Sequence, residues 1–471
     1  MKRFRPNKTI APRYDDDHIA GLPDGAMVLS NSERREAWCS RRWMFSYGRG
    51  LATPPSIAMR WGSFYHAILE DIYTHWAITR SVDGEPCAYK PEYLLICSGV
   101  EHNRNHNADC EMCNGTSLGP LARIREEVDG NRDYWDSFAE KYGGADGIIQ
   151  SLYDAACGYL KRYGERGPEN YDIVGVEVPV CLPVRHPDTG KIYSSQVPVV
   201  ETAEGWRVAS FREKQPWKMV RLPWYQVGRL DAILRHKKTN DVYVLEFKTS
   251  ANPLSYGKDL HLDNQVPGYV LALAENKTFP GTVKGYVWDV SSSRKHATPR
   301  VLKNGRLSLA TSQTCPSWKF EESMRALMES NASLDVEYVQ SAKQLVQDLK
   351  EKVDPKLYHR EWGHPSASVL DRYRRELFVD VQRFAKMYRS LVTADTEQEV
   401  LAAFPRVPFC RGPGASCSFA GICMEGGHSL DQTIQGYLEM PNTGFIQREQ
   451  LQWLHRNTGL SSEEDSQCPM F

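Results

Sequence analysis

The sequence predicts an α/β (α+β) domain, a mixed β-sheet flanked by helices. Three observations carry that reading. Valines alternate at Val174, Val176, Val178 and Val180; two strand-like runs flank the turn-prone Lys237-Lys238-Thr239-Asn240-Asp241; and long helix-forming stretches precede and follow them. The chain has 471 residues. At roughly 100–200 residues per domain, that is room for one large domain with insertions or for two to three smaller ones.

Taken in order, residues 1–28 hold proline, glycine and the run Asp15-Asp16-Asp17 without periodicity, and read as an arm. Ser30 with Glu33 fits a capping box, so a helix should start there and run to about Tyr47, carrying Cys39 in its C-terminal half. A second helix covers 59–78. Residues 84–118 break the pattern with Pro, Cys, His, Asn and Gly, and read as an inserted loop with its own chemistry. A helix returns at 148–163, and the valine alternation then opens the sheet. Strands at 225–236 and 242–249 should pair as an antiparallel hairpin. A helix at 263–275, a strand at 283–290 and helices over 321–352 and 366–391 follow, before a Pro/Gly/Cys segment at 405–427. The expected organisation is an arm (1–28), a main domain (29–428) with a loop insertion (84–118) and a helical insertion (291–365), and a tail (429–471). No internal repeat is present.

Hydrophobic residues at 41% and charged residues at 25% exclude a disordered or fibrous chain. A formal net charge of -1 supplies no global field toward nucleic acid, so any such binding must use local basic patches. Residues 211–221, from Phe211 and Arg212 through Lys214, Trp217 and Lys218 to Arg221, interleave cations with aromatics; Arg34, Arg35, Arg41 and Arg42 form a second candidate. The basic Met1-Lys2-Arg3 start is followed by no apolar segment, and the longest apolar run, Tyr269 to Ala274, is too short to span a bilayer. A cytoplasmic protein without a membrane partner is expected.

The chemistry centres on Val242-Tyr243-Val244-Leu245-Glu246-Phe247-Lys248-Thr249. Side chains alternate faces along a strand, so Glu246 and Lys248 point one way while Leu245 and Phe247 point the other. Asp231, on the preceding strand, can reach Glu246 across the turn. Two carboxylates converging on one spot suit a hard cation such as Mg²⁺ or Mn²⁺, which leaves room for water and phosphate. Phosphodiester hydrolysis needs that cation, an activated water and positive charge against the developing transition state. Lys248 can serve either by orienting or deprotonating the water or by stabilising charge.

Gly228-Arg229-Leu230-Asp231, then Glu246-Phe247-Lys248-Thr249, then Gln265 with Tyr269, resembles the PD-(D/E)xK nuclease superfamily in its RecB-like exonuclease branch. Trp61-Gly62-Ser63-Phe64-Tyr65-His66-Ala67-Ile68-Leu69-Glu70 resembles a further motif of that branch, and the matching order covers roughly residues 30–425. The resemblance implies a restriction-endonuclease-like sheet and hydrolysis of DNA, more specifically by an exonuclease, with recombination or replication proteins as partners. It implies catalytic roles for Asp231, Glu246 and Lys248, a metal held at His66, Asp231, Glu246 and Phe247, and a DNA path along Gln265 and Tyr269. Pro267 departs from a continuous helix between those last two, so the helix should start late or kink there. Two other readings stay open: an endonuclease, and a DNA-binding scaffold without chemistry. The latter would have no use for all three residue types in register.

Clustered cysteines inside a cell more often bind metal than form disulfides. Of the twelve, Cys87, Cys157, Cys181, Cys315 and Cys468 are isolated. Cys410, Cys417 and Cys423 supply three thiolates in a Gly/Pro loop, and Cys39 is the candidate fourth. One early cysteine and three late ones resemble the arrangement that holds a [4Fe–4S] cluster in phage and bacterial members of the RecB-like branch; zinc would also satisfy four thiolates. Cys97, His102, His106, Cys110 and Cys113 form a second ligand-rich loop, similar in part to a zinc knuckle, in which three cysteines and one histidine would make a Zn²⁺ site.

Overall fold

The computed structural model describes residues 19–447, apart from 20, 24, 53–55, 80–85, 98–117, 138–141, 203–204, 260–264, 277–278, 280, 311–313, 331–333, 408–410, 413–414, 425–428 and 440–445. Its centre is a mixed sheet of eight strands, which accords with the expected fold class. The strands are β1 (Met27–Ser30), β2 (Tyr171–Pro183), β3 (Ser194–Thr202), β4 (Gly205–Val208), β5 (Lys218–His236), β6 (Asp241–Ser250), β7 (Thr282–Ser292) and β8 (Tyr358–Gly363). Their order is β4-β3-β5-β6-β7-β8, with β1 and β2 also paired to β5.

The β5–β6 hairpin forms with the expected antiparallel sense, and Asn240 takes a left-handed φ of 58° in its turn. β7 pairs parallel to β6, which requires a crossover; α5 (Gln265–Asn276) supplies it. β1 enters the sheet parallel to β5, pairing Met27 with Trp224 and Ser30 with Val227. Met27 and Val28 therefore belong to the sheet although they fall within the stretch read as an arm. Likewise β8 returns to the sheet antiparallel to β7, inside the segment expected to be a helical insertion.

The expected helix from Ser30 to Tyr47 is broken. Ser30 caps α1 (Asn31–Glu36) through the Glu33 amide, but Cys39 is extended and stands, without a side-chain cap, just before a separate short α2 (Ser40–Trp43), which continues into a π-helical turn at Met44–Gly48. The break serves docking. Ser40 donates to the Pro405 carbonyl at 2.9 Å, and Arg41 donates to the carbonyls of Phe404 and Leu401. The expected helix over 321–352 is likewise two, α6 (Ser317–Ser330) and α7 (Val336–Lys352), the second started by Asp335 as N-cap.

The sheet separates two apolar layers. On one side α5 and α8 (Ala367–Thr393) pack on Leu230, Ile233, Val242, Val244, Trp288 and Val290. On the other, α3 (Ile57–Ile78) and α4 (Gly144–Tyr163) cover Val176, Ala232, Leu234, Leu245, Phe247 and Val287. Along β6 the alternation is regular. On β2 and β5 it changes phase: Val176 and Ala232 face α3, whereas their neighbours Val178 and Leu230 face α5. The switch occurs at Glu177, whose φ is +51°, and at Asp231 opposite it.

One polar cluster crosses the α3/α4 layer. Asp289 of β7 is fully buried, and Arg360 of β8 donates to its Oδ2 at 2.8 Å and to the hydroxyls of Tyr73 and Tyr159. Tyr159 also donates to Asp289 Oδ2 at 2.6 Å, and the guanidinium lies 3.6 Å from the centre of the Tyr163 ring. Tyr73 in turn meets Phe247 edge-on, so this cluster backs the central strand. Removing the cation would leave a buried, unpaired carboxylate. Arg360→Ala should therefore cost about 3–5 kcal/mol in urea unfolding; a loss below about 1 kcal/mol would place the pair with weak surface bridges instead.

Candidate active site

Beyond the Ala232–Leu245 rung the β5–β6 ladder stops, and the Phe247 amide donates to Asp231 Oδ2 at 2.6 Å instead of to a backbone carbonyl. The phase switch at Asp231 turns its carboxylate into the gap between the two strands. Glu246 arrives there from β6, 2% exposed, pointing to the same face as Lys248 as the alternation requires. Lys248 Nζ donates to Glu246 Oε1, and so does Gln265 Nε2, at 2.8 Å. Glu246 Oε2 is buried with no hydrogen-bond partner among the described residues.

Gln265 opens α5, which places Pro267 at its third residue. There an amide has no acceptor within the helix, so the proline costs α5 no hydrogen bond. Gln265 also donates to the Tyr269 hydroxyl at 2.9 Å, and Tyr269 is itself buried, 6% exposed. A Cβ at Gly228 would lie 2.3 Å from the Tyr269 ring, so the glycine of Gly228-Arg229-Leu230-Asp231 makes room for it. His66 reaches the gap from α3 on the opposite layer, its Nδ1 3.8 Å from Asp231 Oδ1 and its ring against Phe247. Gly62, one turn earlier, lets α3 lie against β6; a Cβ there would sit 2.9 Å from Thr249 Oγ1.

Burial raises Asp231 to about 6, and burial with the Asp231 charge raises Glu246 to about 7. Burial alone would lower Lys248, but the Glu246 and Asp231 carboxylates outweigh it and keep its ammonium above the ordinary lysine range. Burial, with the Lys248 charge, holds His66 well below the ordinary imidazole range, so its ring is neutral.

Two further acids face the same gap, and reading the sequence assigned neither a role. Burial and the Asp71 charge raise Glu70 to about 8; burial, Glu70 and Asp231 raise Glu177 well above the carboxylate range, with Arg229 3.8 Å away. Their places in the sequence are these: Glu70 is one helical turn after His66, and Glu177 is the one charged residue among those that alternate with the valines of β2.

The residues fit a divalent cation. A buried carboxylate oxygen without a donor beside a second carboxylate is costly, and a hard cation offsets that cost. Among the described residues no group of three or more His, Cys, Asp or Glu side chains is gathered as a cage. Mg²⁺, which keeps several waters and takes one or two carboxylates, does not need one.

The other expected sites are brought together only in part. Cys39 is buried, and the Cys417 thiol, raised by burial, feels Cys39 and Cys423 nearby. Cys410 lies outside the described residues, as do His102, His106, Cys110 and Cys113. Cys97 is buried, and an isolated Ile96–Leu118 bridge closes the base of that loop. The basic patch on the first helices is largely internal: Arg34 binds Asp380 and Tyr373, Arg41 binds carbonyls and Arg42 binds Glu36. No described helix is long and apolar enough to cross a membrane.

The family model described as the PD-(D/E)XK nuclease superfamily matches residues 36–424. No individual curated protein matches the chain.

Because the folded-state values of Asp231 and Glu246 are raised, their contribution to the stability of the metal-free protein is full below about pH 4 and is lost as pH rises through about 6 and 7. A bound cation reverses that loss. The rise in melting temperature on adding Mn²⁺ should therefore be larger at about pH 8 than at about pH 5.5, where protons compete. Equal shifts at both pH values would show that the cation binds elsewhere.

Proposed function

The chain belongs to the PD-(D/E)XK nuclease superfamily, and from that premise we propose that it is a Mg²⁺- or Mn²⁺-dependent deoxyribonuclease acting at Asp231, Glu246 and Lys248. The observation that carries this reading is the buried Glu246 Oε2, which lies beside Asp231 and has no hydrogen-bond partner among the described residues. Two buried acids forced together at the end of a ladder share the single ammonium of Lys248 and so carry more negative charge than it offsets, which favours a cation.

A divalent cation held there by Asp231, Glu246, the Phe247 carbonyl and His66 would supply Lewis acidity to a phosphate and to water. The protein's own groups do the rest. Beside Glu246 and Asp231 the Lys248 amine is held in its ammonium form, a charge that suits stabilising the phosphorane. Gln265 orients both Lys248 and Glu246, and Tyr269 holds Gln265. Exonuclease activity and the RecB-like branch rest on the order of the motifs: His66, Asp231, Glu246 with Lys248, then Gln265 with Tyr269. Asp231→Ala, Glu246→Ala and Lys248→Ala should each lower cleavage of end-labelled DNA by at least about 100-fold while binding survives; wild-type rates in any one would sink the assignment.

We propose in addition that Cys39, Cys410, Cys417 and Cys423 hold a [4Fe–4S] cluster and that Cys97, Cys110, Cys113 and one of His102 and His106 hold Zn²⁺. Support for the first is the docking of α2 onto 401–405, just before Cys410, with Cys39 within electrostatic reach of Cys417. Support for the second is the closed base of the loop at Ile96–Leu118. Protein purified without oxygen should be brown, with about four irons and one zinc per chain. Cys39→Ala should bleach it as fully as Cys417→Ala. A colourless protein, or one coloured despite Cys39→Ala, would refute the four-cysteine set.

A further inference from the structure

At the β3–β4 end of the sheet, away from Asp231, Arg49, Phe211, Arg212 and Lys214 line an open groove of about 390 Å³. Its floor is pinned. The Arg49 amide closes the π-helical turn onto the Met44 carbonyl at 2.7 Å, and the Arg212 amide donates to the Leu391 carbonyl at 2.8 Å from a left-handed φ of 48°. Gly48 lets that turn lie against Leu391, since a Cβ there would be 2.7 Å from a Leu391 methyl. Phe211 is a platform for both guanidiniums, at 4.6 Å from Arg49 and 5.2 Å from Arg212.

The two guanidiniums converge on one anion. Asp431, on α9 (Leu430–Glu439), accepts from Arg49 at 2.5 Å through Oδ1 and from Arg212 at 2.9 Å through Oδ2. That carboxylate is half exposed and comes from a helix beyond the residues that match the superfamily. Glu213, between Arg212 and Lys214, does not cancel the groove's charge, because its carboxylate turns to Arg207 and Ser210. With Lys214 exposed at the rim, the groove keeps an excess of positive charge around a carboxylate that solvent can reach.

We propose that this groove is a second nucleic-acid subsite, in which a phosphodiester of the bound strand takes the place of the Asp431 carboxylate between Arg49 and Arg212, with Lys214 at its edge. Two preorganised guanidiniums suit a phosphate oxygen pair as they suit the carboxylate. The inference rests on the nuclease reading for the identity of the ligand. The β5 backbone from Lys218 to Asp231 spans at most roughly 43 Å at about 3.3 Å per residue, which sets the scale over which one strand would touch both places.

The test is binding of the full chain to a fluorescein-labelled 30-nucleotide oligothymidylate in EDTA, so that cleavage plays no part, read by anisotropy across a salt series. Lys214→Gln and Arg212→Gln should weaken binding by roughly 3- to 10-fold and shallow the salt dependence by about 0.7 per lost contact. Asp431→Asn should act in the opposite direction and tighten binding by roughly 2- to 5-fold, because it removes the competing anion. Lys214 is exposed, so its variant reads the site even where Arg212→Gln fails to fold. Wild-type affinity in Lys214→Gln and Asp431→Asn, with only a lowered melting temperature in the latter, would make the Asp431 contact a structural staple and overturn the proposal. Displacement of the 30-mer by inorganic phosphate or thymidine monophosphate at similar concentrations would also overturn it, in favour of a small-anion site. A chain that shows these shifts yet cleaves nothing would refute the nuclease reading and leave the subsite standing.

Discussion

One hydrogen bond organises the centre of the molecule: the Phe247 amide to the Asp231 carboxylate. Where β5 and β6 part, that amide loses its ladder partner, and a buried amide left bare costs about 1–3 kcal/mol. Asp231 supplies the acceptor, which fixes its carboxylate in the opening. The opening is also where the two layers communicate. Glu246 and Lys248 face the α5 side and His66 descends from the α3 side, and a continuous sheet would have kept them apart. The left-handed Glu177 opposite is the strain that accompanies the split, of order 1–3 kcal/mol for such a residue.

The charges gathered there do not balance. Asp231, Glu246, Glu70 and Glu177 face Lys248 and Arg229, and burial drives all four acids toward their protonated forms. Contrast the Asp289–Arg360 cluster one strand away, where a single carboxylate is paired with a single guanidinium that three tyrosines contact. The first arrangement is held short of neutrality and the second is held at it. Local instability of this kind is tolerable only on a rigid support, and the second cluster braces the strand that carries the first.

Much of this was legible in the sequence. Period-two valines, the turn between β5 and β6 and the i, i+2 spacing of Glu246 and Lys248 are local patterns, and local patterns survive without tertiary knowledge. What escaped depends on distant pairings. β1 is four residues long and exists because β5 offers it a parallel partner nearly two hundred residues away. β8 reads as polar, Tyr-His-Arg-Glu-Trp-Gly, because it is an edge strand, and nothing local says that Arg360 turns inward. Arg34 and Arg41 look like a surface patch on a helical projection, yet they bind Asp380 and the Phe404 carbonyl, partners more than three hundred residues off. The break at Cys39 is of the same kind, since propensity favours a continuous helix and only docking against 401–405 divides it.

The Ile96–Leu118 bridge has a meaning apart from whatever the loop binds. It brings Ile96 and Leu118 side by side as a neck, so the chain between them leaves and rejoins the described fold at one place. Closure entropy grows only as the logarithm of the length of that chain. Such a neck is a natural port for exchange: a short turn, a reporter peptide or a foreign module joined at 96 and 118 would meet the same boundary as the native segment.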